Sequence, residues 1–165
     1  MKILESKRLI LRSWNLEDLN DLYEFMSNDK VAKLAGFNVR KNKKEALAVL
    51  NKFIADSYDS LWAIELKECN KAIGWIELHD CSEEIYKGSQ EIGFVLSEEY
   101  WGKGLMKEAV KLVTDYGFNE KHIINIICSH FKENIQSKRV IEKSGFNYVL
   151  EDKNKVYYYV KRKIK

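Results

Sequence analysis

Glu91-Ile92-Gly93-Phe94-Val95-Leu96-Ser97-Glu98-Glu99-Tyr100-Trp101-Gly102-Lys103-Gly104-Leu105-Met106-Lys107-Glu108-Ala109 is the stretch on which the reading of this chain turns. Residues 91–96 read as a strand, a polar loop follows, and Leu105, Ala109, Leu112, Val113 and Tyr116 then recur at helical spacing over a helix from about 102 to 119. The first N–H groups of a helix lack internal partners and lie at the positive end of its dipole. Gly102 and Gly104 carry no Cβ, so a ligand can reach those amides. The geometry suits a pyrophosphate. It is not the dinucleotide fingerprint G-x-G-x-x-G, because Lys107 holds the third glycine's place, and no G-K-[ST] follows to make a Walker loop. A phosphate ligand of another kind survives.

Outward from this stretch the elements alternate in kind. Upstream, residues 8–12 alternate as a strand, and Asn15 can cap a helix with Leu16, Leu19, Leu22, Tyr23 and Met26 on one face. Ser27-Asn28-Asp29 reads as the end of that helix and residues 36–42 as a loop; a second helix carries Ala46, Leu47, Val49, Leu50, Phe53 and Ile54. Residues 60–66 and 72–78 read as an antiparallel hairpin about a polar turn. Downstream come a strand over 123–128, a helix over 134–144 ended by Gly145, and strands over 146–150 and 156–161. The pattern predicts an α/β (α+β) fold with one mixed sheet.

The chain has 165 residues, 45% hydrophobic and 32% charged, with a net charge of +3, which suits one domain over 1–165 and argues against disorder. Basic and acidic residues are mixed, which speaks against a nucleic-acid binder. No stretch reaches the roughly 20 apolar residues of a membrane span, and the first residues lack a signal peptide's apolar region. Cys69, Cys81 and Cys128 form no C-x-x-C pair, and His79, His122 and His130 form no H-E-x-x-H pattern. The expectation is a cytoplasmic protein with reduced thiols and no metal.

The stretch Trp101 to Ala109 resembles the acyl-CoA pyrophosphate loop of the GNAT N-acetyltransferase superfamily. Asn134-Ile135-Gln136-Ser137-Lys138-Arg139-Val140-Ile141-Glu142-Lys143-Ser144-Gly145-Phe146 resembles that family's second signature, N-x-x-S-x-R-V-x-E-K-x-G-F. Lys7-Arg8-Leu9-Ile10-Leu11-Arg12, Ile73-Gly74 and Glu91-Ile92-Gly93-Phe94 are similar to its ribosomal-protein-alanine N-acetyltransferase-like branch. The resemblance covers nearly the whole chain in order. It implies a GNAT fold: a mostly antiparallel sheet of about seven strands with helices on both faces. It also implies acetyl transfer from acetyl-CoA, as cosubstrate, to a primary amine by direct attack. The amine would be a protein N-terminus, such as a ribosomal protein's, or a small molecule. There are departures: Trp101 precedes Gly102, Met106 replaces a small residue, and Ile141 stands where many relatives place a tyrosine acid. A catalytically inactive CoA-binding sensor or interaction module is therefore the rival reading.

For the cofactor the resemblance implies Phe94, Val95, Leu96, Trp101, Gly102, Lys103, Gly104, Leu105, Met106, Asn134, Ser137 and Arg139. It puts Asn134 on the pantetheine arm and Ser137 near the sulfur, and Ser137 is the candidate catalytic partner of the departing thiolate; Asn134 also reads as a plain N-cap, a role that can coexist with the first. Glu91 is the candidate base: it opens an apolar strand, where partial burial favours a proton acceptor. It also reads as an amine anchor or a solvated strand end. Trp75, Glu77 and His79 share one strand face and are candidates for the acceptor site, against a core or hydrogen-bonded role. Trp62 is a further aromatic candidate. Lys103 is placed at the pyrophosphate, whereas Lys107 and Lys111 read as a solvated face. Segments 28–45 and 79–90, expected to shape the acceptor pocket, carry no recognisable motif. Monomer and homodimer both remain open.

Overall fold

The computed structural model describes residues 1–55, 60–81 and 88–162. Eight strands form one sheet in the order β1-β2-β3-β4-β5-β6-β8-β7. They are β1 (Leu4–Glu5), β2 (Leu9–Arg12), β3 (Leu61–Leu66), β4 (Lys71–Asp80), β5 (Gln90–Leu96), β6 (Asn125–Phe131), β7 (Asn147–Glu151) and β8 (Lys155–Lys161). The helices are α1 (Leu19–Met26), α2 (Asp29–Ala35), α3 (Lys43–Ile54), α4 (Leu105–Asn119) and α5 (Ile135–Lys143). β5 and β6 run parallel and the other described pairs antiparallel. A parallel neighbour needs a crossover, and α4 supplies it.

Three features depart from the sequence reading. The two-residue β1 adds an eighth strand at one edge. Asn28 does not only end α1; its side chain accepts hydrogen bonds from the Lys30 and Val31 amides and starts α2, so residues 29–35 are helix. β6 runs on to Phe131, which makes Ser129 and His130 strand residues. Of the segment 79–90, residues 82–87 lie outside the described residues.

The core is divided by the sheet. On one face Trp14, Leu22, Phe25, Met26, Val31 and Leu50 pack on Ala63, Ala72, Trp75 and Val95. On the other, Leu105, Met106, Ala109, Val113 and Ile141 cover Trp62, Ile64, Ile73, Ile76 and Ile92. Strict alternation along β4 would put Ile73 with Trp75. The register shift between Ile64 and Glu65 inserts one extra residue and moves Ile73 to the α4 face. At this bulge a Cβ on Gly74 would stand 2.2 Å from the Val95 carbonyl oxygen, so only glycine fits between β4 and β5. Trp62 is fully buried on the α4 face, its indole N–H donating to the Lys2 carbonyl at 2.8 Å, and with His79 and Tyr116 it backs a second cavity of about 350 Å³, apart from Trp75.

Arg12 ties the first strands to the helical layer. Its guanidinium donates to both carboxylate oxygens of buried Asp18, each at 2.8 Å, and to Glu65. The Asp18 carboxylate raises the Arg12 pKa most; burial acts against it and Glu65 adds to the rise.

Candidate active site

The site begins where two parallel strands part. β5 and β6 pair through Gln90–Ile126, Glu91–Ile127 and Ile92–Cys128 and no further. Beyond Ile92, residues 93–96 have no partner on β6. Neighbouring strands otherwise lie about 4.8 Å apart, so the divergence opens a wedge at the ends of the strands. A cavity of about 350 Å³ fills it, walled by β5 (Phe94–Leu96), the start of α4, one face of α5 and the α2 residues Val31, Leu34 and Ala35.

The turn entering α4 is held from several sides. The Trp101 indole N–H donates to the Leu96 carbonyl at 2.8 Å, and Lys30 lies over the indole ring. Glu98 accepts from Asn28 at 3.0 Å and from Lys30 at 2.6 Å, which holds its pKa below the usual carboxylate range. Gly102 and Gly104 take left-handed φ angles of 76° and 75°, conformations that favour glycine. Gly104 precedes α4 with no side-chain cap, and the Glu108 amide donates to the Gly104 carbonyl. The Leu105, Met106 and Lys107 amides precede the first turn's bonds and have no intrahelical acceptor. Lys107, Arg139 and Lys143 line the same cavity. Open amides, a helix dipole, cationic side chains, apolar walls and Ser137 in one cavity fit a thioester carried on a diphosphate.

Most of the expected cofactor residues meet here: Phe94, Val95, Leu96, Trp101, Gly102, Gly104, Leu105, Met106, Asn134, Ser137 and Arg139 all line the cavity. Lys103 does not. Its ammonium sits 5.1 Å over the Tyr100 ring and its carbonyl is engaged elsewhere. Lys107 lines the cavity instead of belonging only to a solvated face. Asn134 does two jobs within the protein: its carbonyl oxygen accepts from the Ser137 amide to cap α5, and its amide donates to the Leu34 carbonyl at 2.8 Å. It thus clasps α2 to α5 across the cavity. Tyr100, Gln136, Lys143 and the α2 wall were missed by sequence reasoning. The wall was signalled by Asn28 as a helix start.

Glu91 lies outside the cavity wall, three residues or about 10 Å of strand before Phe94. It is half-buried, and its carboxylate accepts from the Ser129 hydroxyl at 2.7 Å and the Cys81 thiol at 3.9 Å. His79 is its direct partner across the β4–β5 pair, with Nδ1 2.9 Å from the Asp80 carbonyl. Glu77 pairs with Gly93, where a Cβ would stand 2.7 Å from the Glu77 Oε1; the missing side chain makes room for that carboxylate. Trp75 is only 9% exposed and touches the rings of Phe25, Phe37 and Phe53, so the structure places it in the core beneath α1 and α3. Ile141 is buried and offers no proton. Burial, reinforced by the charge of Glu91, pushes the Cys128 thiol up, which makes it a poor nucleophile. Among the described residues, no cluster of three or more His, Cys, Asp or Glu could hold a metal ion, and no helix is long and apolar enough to cross a membrane.

Residues 8–147 match the Acetyltransferase (GNAT) domain family. The chain is 32% identical over 143 residues to the "Uncharacterized N-acetyltransferase YnaD" of Bacillus subtilis (strain 168), covering 86% of this chain and 81% of that protein. The crystal structure of an acetyltransferase (GNAT family) from Bacillus anthracis superposes with a TM-score of 0.82 at 25% identity, over 98% of this chain and 99% of that one. A spermidine N-acetyltransferase from Vibrio cholerae, solved with CoA and spermine, shares the fold with a TM-score of 0.74 at 20% identity, over 95% and 97% of the two chains. The parted strands, the open-amide turn and these likenesses converge, and the chain belongs to the GNAT family as an acetyl-CoA-dependent N-acetyltransferase.

Proposed function

We propose that this enzyme acetylates a primary amine, either a protein N-terminus such as a ribosomal protein's or a small-molecule amine, with Glu91 as base and Ser137 as hydrogen-bonding partner of the thioester sulfur. One observation carries the reading: Glu91 sits on the last paired rungs of β5 and β6, at the base of the wedge whose wall contains Ser137. When bound, acetyl-CoA supplies a thioester carbon open to direct attack. The α4 amides, Lys107, Arg139 and Lys143 hold its phosphates. Glu91, steadied by the Ser129 hydroxyl, accepts the proton the amine sheds. Ser137 lies on α5 within the cavity and meets the sulfur as negative charge collects there. Glu77 and Glu91 share a sheet face, which favours a cationic acceptor over an acidic one.

Buried Ile141 favours a second reading, a module that binds CoA and turns nothing over. Thiol release from acetyl-CoA, measured with peptide N-termini and with small amines, separates the two. Amine-dependent release by one class names the acceptor. CoA binding without release on any amine leaves the module.

A further inference from the structure

Glu108, the fourth residue of α4, does not turn its carboxylate to solvent. It accepts from the Ser6 hydroxyl at 2.5 Å, the Arg8 amide at 3.0 Å and Arg8 Nε at 2.8 Å, with Arg8 Nη2 2.7 Å away. A favourable helix dipole needs none of these donors. The Arg8 backbone is fixed on its other side too, because the Lys67 amide donates to the Arg8 carbonyl at 2.9 Å. With Nε and Nη2 committed to Glu108, Nη1 donates to the Lys103 carbonyl at 3.0 Å. Lys103 stands between the two left-handed glycines of the turn.

The consequence follows from the planarity of the peptide bond. In a trans peptide the C=O of one residue and the N–H of the next point in opposite directions. No described peptide is cis. Capturing the Lys103 carbonyl therefore turns the Gly104 amide away from Arg8. Gly104 lines the cavity and Arg8 does not. Gly104 at one end lets this peptide plane turn more readily than one between two residues with side chains, so an outside anchor matters. We propose that Arg8, held by Glu108 and Ser6, is a positioning residue for the acyl donor's diphosphate, because its grip on the Lys103 carbonyl aims the Gly104 amide into the cavity. The turn between β1 and β2, remote in sequence, is thereby part of the cofactor site. The inference rests on residues 102–107 being the diphosphate turn.

The test compares two donors, acetyl-CoA and the short thioester of N-acetylcysteamine, which lacks a diphosphate. Arg8→Ala should weaken CoA binding about tenfold or more by calorimetry, the effect of losing one good hydrogen bond to a charged group. Its kcat at saturating acetyl-CoA should stay within about twofold, and its kcat/KM for the short thioester should not change. Arg8→Lys, which reaches Glu108 or the Lys103 carbonyl but not both, should fall between. Equal losses on both donors, or native CoA affinity in a folded Arg8→Ala protein, would overturn the proposal. If Arg8→Ala does not fold, Arg8→Lys and Glu108→Gln answer the same question. Gly104→Val guards the premise: if it keeps native CoA affinity the turn itself is misassigned, whereas its loss alongside an indifferent Arg8→Ala sinks only the role of Arg8.

Discussion

Glu91→Gln separates the two roles a carboxylate can play at the base of the wedge. The substitution is nearly isosteric, and the amide oxygen can still accept from the Ser129 hydroxyl that now donates at 2.7 Å. Little stability is therefore at stake, and the melting temperature should move by no more than a few degrees. What disappears is the ability to take a proton. A positioned general base contributes typically about 10²–10⁴ in rate, or about 3–5 kcal/mol of barrier. With no cavity-lining contact to lose, CoA affinity should hold. The assay is the initial rate of thiol release at saturating acetyl-CoA over a range of amine concentrations, beside calorimetric CoA binding. A fall of about 100-fold or more in kcat, with KM for the amine and Kd for CoA little changed, supports the base. A raised amine KM with kcat intact makes Glu91 an anchor, and the proton must then go elsewhere. A loss under about tenfold in both refutes any direct part for this carboxylate in the chemistry.

Other expectations follow from the same contacts. Gly74→Ala must push a methyl into the Val95 carbonyl, so it should destabilise by about 1–3 kcal/mol in urea unfolding and disturb the β5 end of the cavity. Arg12→Met strips both guanidinium donors from the carboxylate of Asp18, itself 4% exposed, leaving it the Asn15 amide at 2.9 Å, and should cost about 3 kcal/mol, or roughly 9 °C in melting temperature by calorimetry. For Glu108, burial alone would raise the pKa, but hydrogen bonds from Ser6 and Arg8 bring it below its ordinary 4.5. A lowered carboxylate contributes stability that is complete above about pH 4.5 and is lost as pH falls through the lower folded value, so Glu108→Gln should flatten that part of the acid unfolding curve. At neutral pH iodoacetamide should label exposed Cys69 and spare Cys128 until the chain unfolds, as mass spectrometry of the labelled peptides would show.

How far the sequence carried depends on whether a signal was local. The glycine turn into α4 was legible because its causes lie within a few residues: two glycines, a loop before them and an amphipathic helix after. The α5 cap was legible for the same reason, since Asn134 bonds the amide three residues on. The wedge was not legible. It exists because β5 and β6 share only three rungs, and register between strands separated by a whole helix is written in no short stretch. The α2 wall was lost to an ambiguity in Asn28, whose residue type suits the end of one helix and the start of the next. At Trp75 the sequence offered a core place and an acceptor site, and the choice fell to the core once α1 and α3 were laid on the sheet, because Phe25 and Phe53 come from helices remote in sequence.

Asn134 shows why family-like residues resist assignment to single roles. Sequence offered a helix cap and a cofactor contact, two roles that one side chain can combine. The structure shows its oxygen committed to the cap and its nitrogen to the Leu34 carbonyl, 100 residues away. One amide hydrogen is left for a ligand in the cavity that both helices enclose. Losing the side chain would therefore uncap α5, release α2 and remove a ligand donor at once. Asn134→Ala would lower stability and CoA affinity together, whereas Asn134→Asp keeps the cap's acceptor and removes both amide hydrogens, the one on the Leu34 carbonyl and the one left for a ligand. If the aspartate variant is as stable as the native protein yet binds CoA as weakly as the alanine variant, the amide hydrogens matter to the ligand, directly or through the α2 wall they hold; if it binds as the native protein does, Asn134 serves the fold alone.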